Sequence, residues 1–182
     1  MMDREKAMKA VKMLLEAIGE DVEREGLKET PRRVADAFAE FTSGNEMSAK
    51  DILSTTFDVE GGDIVIEKDI SFSSTCEHHL MPFFGRIAIA YVPDKKVVGL
   101  SKLARCVEVF AHRLQLQERL TEQIAEAVMQ YLSPKGVMVW CEAEHTCMTC
   151  RGVKKAGSKT VTYKVAGKFP KEKIGEVLAL IK

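Results

Sequence analysis

The feature that most restricts the fold is a change of period at Gly61-Gly62. Before this pair, apolar residues recur at helical spacing; after it, they recur at every second position. A helical period cannot settle as a strand, or a strand period as a helix, so the chain must combine both elements. Met8, Val11, Leu15 and Ile18 lie on one stripe and predict a helix over 3–25, ended by Gly26. Thr30-Pro31 reads as a helix start, with Thr30 as N-cap and Pro31 at the first helical position. Val34, Ala37, Phe38 and Phe41 supply that helix's apolar face, and Ser43-Gly44-Asn45 closes it.

Ile64, Ile66, Ile70 and Phe72 then predict a long or bent strand, and Ile87, Ile89 and Tyr91 a second, ending at Pro93-Asp94. Helical spacing returns over 101–114 and 118–132. Val137, Val139, Cys141, Ala143, His145 and Cys147 share one parity of a third strand, and Val161, Tyr163 and Val165 mark a fourth. Residues 171–181 read as a short terminal helix. The order helix, helix, strand, strand, helix, helix, strand, strand, helix specifies an α+β fold: an antiparallel four-stranded sheet with a helix pair on one face. It divides into a helical region, 1–60, and a sheet domain, 61–182. An open sheet leaves two edges, which sheets joined across subunits would cover.

A chain of 182 residues can bury a sizeable core. Lys plus Arg and Asp plus Glu number 27 each, so no net charge points to nucleic acid or to a membrane surface. No apolar run approaches the roughly 18 residues of a membrane span, and Met1 to Ala10 lacks a signal-peptide core. The expected location is cytoplasmic. The five cysteines are then free thiols or metal ligands rather than a disulfide framework. Cys106 and Cys141 fall in helical and strand patterns as small buried hydrophobes.

Two short strings carry metal chemistry. Cys76-Glu77-His78-His79 and His145-Thr146-Cys147 together offer two thiols and three imidazoles. Cys76-x-x-His79 and Cys147-x-x-Cys150 each have the spacing of a zinc half-site, and combined they would make a closed four-ligand structural site. If residues 137–151 stay extended, however, Cys147 and Cys150 point to opposite faces, while His145, Cys147, Thr149 and Arg151 share one. That geometry favours three ligands, Cys76, His79 and Cys147, with a fourth position open, as in a catalytic zinc site. His78 and His145 are then candidates for proton transfer, because imidazole titrates near neutral pH. His112 follows a helical apolar face and reads as structural; Glu77 reads equally as a support for the metal ligands or as a solvated carboxylate. Lys102 and Arg105, three apart on a helix, are either solvated surface or, with Arg151, a phosphate clamp. Glu118 either complements a helix N-terminus or accepts two N–H groups from a guanine edge.

Thr75-Cys76-Glu77-His78-His79, Val98-Gly99-Leu100-Ser101-Lys102, Gln115-x-Gln117-Glu118-Arg119-Leu120-Thr121, and His145-x-Cys147-Met148 with Arg151-Gly152-Val153 resemble GTP cyclohydrolase I. Ser158-Lys159-Thr160-Val161-Thr162 and Gly167-Lys168-Phe169 extend the match. The resemblance runs from about Thr30-Pro31 almost to the C-terminus. It implies the tunnelling fold, with neighbouring sheets closing into a barrel, and a homodecamer with sites at subunit interfaces. It implies conversion of GTP and water to 7,8-dihydroneopterin triphosphate and formate, at the head of folate and pterin synthesis. By motif position, Cys76, His79 and Cys147 would hold zinc, and His78 and His145 would be the acid–base pair. Glu118 with Gln117 would read guanine, and Lys102, Arg105 and Arg151 would hold the triphosphate. Ser101 would sit near the ribose, and Arg33 would add a phosphate contact. Two departures stand out: a short N-terminal region without a long regulatory extension, and a thiol at Cys150. Two other readings stay open: a structural-zinc module that needs neither His78 nor His145, and a relative that releases a ring-opened formamide.

Overall fold

The computed structural model describes residues 2–182. The chain begins with α1 (Arg4–Ala17), capped by the Asp3 carboxylate, which accepts from the Lys6 N–H at 3.0 Å. The predicted helix over 3–25 stops early, because Gly19 turns into the left-handed region at φ +86° and the following residues form turns. In α2 (Thr30–Phe41) the N-cap is Glu29 rather than Thr30, and Pro31 sits within the first two helical positions. The Thr30 hydroxyl donates to the Gly26 carbonyl instead of capping. A 3₁₀ turn, Ser43–Glu46, follows at the predicted Ser43-Gly44-Asn45 stop.

A short helix, α3 (Ala49–Ile52), leads to β1 (Thr56–Asp58), which pairs with β4 (Lys96–Val98) in a small antiparallel sheet that the apolar pattern does not predict. Three-residue strands are too short to show alternation. The main sheet has the order β5-β2-β3-β6-β7. Its four long strands are β2 (Val65–Cys76), β3 (Pro82–Val92), β6 (Gly136–His145) and β7 (Lys159–Gly167), all antiparallel. The four-stranded antiparallel expectation holds, and a two-residue strand, β5 (Leu114–Gln115), adds a parallel edge beside Thr75 and Cys76. The predicted bend in the first strand is a break in register between Glu67 and Ile70, with Asp69 at φ +57°.

The helix pair α4 (Leu100–Ala111) and α5 (Gln117–Leu132) covers one face of this sheet. Leu103, Val107, Leu120, Ile124 and Val128 pack there on Phe72, Phe83, Ile87, Ile89, Tyr91, Val137, Val139, Cys141 and Ala143. The other face is not bare. Ala88, Ala90, Met138 and Trp140 are buried against Phe169 and the terminal helix α7 (Ile174–Ile181) through Val177 and Ile181. Helices therefore flank both faces, unequally. Cys106 and Cys141 are fully buried in the larger core, as expected, and burial pushes both thiols up to about 12.

The third strand does not run through residue 151: it ends at His145, and a single helical turn, α6 (Thr146–Thr149), replaces it. His145, Cys147, Thr149 and Arg151 therefore do not share a strand face.

Candidate active site

Cys76 is the last residue of β2, and the next five residues double back into β3. The Leu80 N–H donates to the Cys76 carbonyl at 2.9 Å, and the Cys76 N–H donates to the Met81 carbonyl at 2.9 Å. Leu80 accepts φ +53° to complete this turn. The turn brings the His79 Nδ1 to 3.8 Å from the Cys76 Sγ. It is clamped from outside: the Arg119 guanidinium pairs with the Glu77 carboxylate and also donates to the Gln115 side chain and the Leu114 carbonyl. Glu77 is therefore tied to an arginine that also grips β5, which braces the turn carrying His79.

The turn α6 delivers Cys147 to the same place. Cys76, His79 and Cys147 each present one ligand atom, and these atoms all lie within 4.8 Å of one another. A tetrahedral zinc with bonds of about 2.0–2.3 Å places adjacent ligand atoms roughly 3.3–3.8 Å apart, so this donor set suits zinc after a small contraction. Burial and the neighbouring Cys76 push the Cys147 thiol up, while Arg151 pulls it down. That crowding of two thiols is what a bound cation relieves. Cys150 is exposed at the end of α6 and lies outside the group, so among the described residues the metal-capable cluster has three members.

A cavity of about 200 Å³ opens beside the cluster, lined by His78, His145, Gln117, Glu118 and Thr160 as well as the three ligands. His145 continues the core-facing parity of β6 and pairs in register with Phe83 of β3. The two rings stack, with centroids 4.6 Å apart and planes 4° from parallel. Gly85, two residues on, permits the close approach of β3 and β6, because a Cβ there would run into the Glu142 carbonyl. The His145 Nε2 meets the Gln117 Oε1 at 2.8 Å. Burial pushes the His145 imidazole below its ordinary value, and the nearby Glu118 carboxylate opposes that shift. His78 is exposed, with its ring edge-on to His79. Glu118, in the first turn of α5, is exposed and lines the same cavity.

Sequence comparison bears directly on this constellation. The family model for GTP cyclohydrolase I matches residues 7–182. The GTP cyclohydrolase 1 of Clostridium perfringens (strain 13 / Type A) is 59% identical over 169 residues, 93% of this chain and 91% of that protein. That of Clostridium kluyveri (strain ATCC 8527) is 60% identical over 168 residues, 92% and 91% of the two chains. That of Pelotomaculum thermopropionicum is 56% identical over 185 residues, covering 100% of this chain and 98% of its own. The chain belongs to the GTP cyclohydrolase I family.

Viewed as a member of the GTP cyclohydrolase I family, the chain gathers only part of its expected site. None of Ser101, Lys102, Arg105, Arg151 and Arg33 lines the cavity beside the cysteines. Ser101 and Lys102 lie in the first turn of α4, and Arg105 lies one turn on. Among the described residues, Lys102, Arg105 and Arg151 form no ion pair, although the Arg151 charge reaches Cys147. Arg33, on α2, is exposed and away from the cluster. His112 is structural, as expected: its Nε2 pairs with Glu108 at 2.9 Å and its Nδ1 lies 3.3 Å from the Ser43 hydroxyl. Sequence reading missed three supports of the site, Arg119, Gln115 and Phe83. The spacing of Gln115 and Arg119, four apart, hints at one pair. The Phe83 stack depends on strand register and has no local signal.

Proposed function

We propose that this chain converts GTP to 7,8-dihydroneopterin triphosphate and formate, with zinc held by Cys76, His79 and Cys147. The observation that carries this reading is the three-ligand cluster at the edge of a cavity that His78, His145 and Glu118 also line. A closed structural zinc needs no cavity and no spare imidazoles. When bound there, zinc supplies Lewis acidity that makes water a stronger nucleophile near neutral pH.

The chain's own residues do the rest. The Glu118 carboxylate accepts from the guanine ring N–H and exocyclic amino group, a donor pair that adenine does not offer. Gln117 contributes to guanine reading through its backbone N–H at the start of α5, where no side chain caps the helix. His145 gives a proton to the imidazole ring of the purine, which makes C8 a better electrophile. Opening of that ring gives a formamide, and a second hydrolysis releases formate. Ribose opening, rearrangement and closure of the new ring require proton movement, which suits the exposed His78.

The triphosphate falls to Lys102, Arg105 and Arg151, with a further contact from Arg33, and Ser101 lies near the ribose. Lys102 sits at the start of α4, also uncapped by any side chain, where backbone N–H groups and the helix dipole favour an anion. These groups and the zinc ligands fit one substrate if they come from different copies of the chain. We therefore propose a homodecamer with composite sites, in which the exposed edge β7, with Val161 and Tyr163 uncovered, joins a neighbouring sheet. No helix among the described residues is long and apolar enough to cross a membrane, and a cytoplasmic enzyme is the reading that agrees with its free thiols.

Incubating the purified protein with GTP, while following formate and the pteridine absorbance, tests the activity. Formate with no pteridine would assign a shorter reaction, and neither product would overturn the proposal.

A further inference from the structure

We propose that the Gln117 side chain is a positioning residue for His145: its carbonyl oxygen fixes which ring nitrogen faces inward and which is left for the substrate. The inference rests on the reading of His145 as a proton-transfer group, and it changes the part expected of the Gln117 side chain.

Gln117 is 2% exposed, at the first position of α5. Its amide nitrogen is surrounded by three acceptors: the Cys141 carbonyl at 3.2 Å, the Thr160 carbonyl at 3.0 Å and the Thr162 hydroxyl oxygen at 3.2 Å. Reversing the amide would set its oxygen against two carbonyl oxygens, so the orientation is decided by the surrounding backbone. The Thr162 hydroxyl is itself fixed. It lies 2.7 Å from the Thr121 hydroxyl, which donates to the backbone carbonyl of Gln117 at 2.8 Å. The hydrogen of Thr162 therefore points to Thr121, and its oxygen is free to accept from Gln117. Each donor in this network around Gln117 has an acceptor.

The consequence reaches His145. The only polar atom of the Gln117 amide not committed to β6, β7 and Thr162 is its oxygen, and an amide oxygen only accepts. The His145 Nε2 at 2.8 Å must therefore carry a hydrogen. Stacking on Phe83 removes the remaining freedom of the ring. Nδ1 is left as the nitrogen that exchanges a proton with a bound molecule. The same network leaves the Gln117 side chain no donor to offer a guanine edge, so the side chain acts through His145 and not on the base.

Gln117→Glu keeps an acceptor toward His145, and as the protonated acid it can still donate to the Thr160 carbonyl. Gln117→Met removes both functions at nearly the same length. Acid–base groups contribute about 10²–10⁴ in rate, so loss of ring placement in Gln117→Met should lower kcat by about tenfold to hundredfold. The GTP dissociation constant and zinc content should stay close to those of the unsubstituted protein, and Gln117→Glu should recover much of kcat. In a His145→Ala background, adding Gln117→Met should cause no further loss in the residual rate of formate release. If Gln117→Met does not assemble, Gln117→Asn, which withdraws the oxygen by one methylene, should show the same fall in kcat at unchanged GTP affinity. Weaker GTP binding in these variants would mean that the side chain reads the base. Equal rates for Glu and Met, with only the melting temperature lowered, would mean that it merely packs. Either result overturns the inference. Absence of turnover by the unsubstituted protein would instead overturn the proposed function on which it rests.

Discussion

The residues proposed to hold a metal and those proposed to hold the triphosphate are placed differently. The metal-capable set lies within one chain: a turn after β2 and a turn after β6 place Cys76, His79 and Cys147 together, and the Arg119–Glu77 pair holds the first turn in place. The residues proposed for the anion are spread over α2, α4 and the segment after α6, and among the described residues Lys102, Arg105 and Arg151 form no ion pair. The difference follows from what each ligand demands. A metal accepts donors only within a narrow distance range, so its ligands must be fixed by short, stiff connections within one fold. A triphosphate is long and flexible and is satisfied by point charges, so its cations can arrive from another copy of the chain. The zinc end of the site should therefore survive changes at the phosphate end, but not the reverse.

The largest expected effect breaks the first set. Cys147→Ala should empty the site of zinc and abolish pterin formation, as read by metal analysis and by absorbance. If zinc were retained, the three-ligand assignment would fall. Arg105→Ala should keep full zinc while GTP affinity falls about tenfold to hundredfold, the loss of one or two charge-assisted contacts. Co-assembling Cys147→Ala with Arg105→Ala subunits should then restore activity, because some interfaces receive an intact half from each. No restoration in verified mixed assemblies would place both sets in one chain.

Glu118→Gln tests the boundary between the two sets. One acceptor becomes a donor, leaving an unpaired contact worth roughly 1–3 kcal/mol, or about tenfold to a few hundredfold in GTP turnover, with zinc unchanged. Unaltered turnover would remove Glu118 from guanine recognition.

Smaller effects are expected of the remaining thiols. Cys150→Ala should leave zinc and activity as they are, and Cys150 should be the first cysteine that a thiol reagent labels, since it is exposed. Zinc loss in that variant would restore the four-ligand reading. Cys106 and Cys141 should stay unlabelled in the native protein. Both are held at about 12 against an ordinary 9.0, so above about pH 9 the unfolded chain releases protons that the folded chain keeps. The unfolded state then binds fewer protons, and stability should fall as pH rises from about 9 toward 12, more gently in Cys106→Ala. A denaturation midpoint that does not vary over that range would contradict this.

Much of the fold was legible because its signals are local. Alternation in Ile87, Ile89 and Tyr91, and in Val137 through Ala143, marks strands wherever they pack, and the helical stripes of α4 and α5 do the same. The metal-capable group was legible because Cys76-x-x-His79 spans a single turn and thiols are scarce. The second core, in which Ala88, Ala90, Met138 and Trp140 meet α7, was not, since it buries positions that a one-faced sheet would leave in water.

The sequence by itself determined the main helices, the four long strands, the residues of the metal-capable group and the family. Those depend on periodicity and on rare residue types at close spacing. Tertiary structure alone decided that β6 stops at His145, so that a helical turn, not strand parity, presents Cys147 and leaves Cys150 outside. It alone decided that Gln117 spends its amide on β6 and β7 and its oxygen on His145. Hydrogen-bond direction depends on what surrounds both ends of a group, and those surroundings come from residues 24 to 45 positions away in the chain.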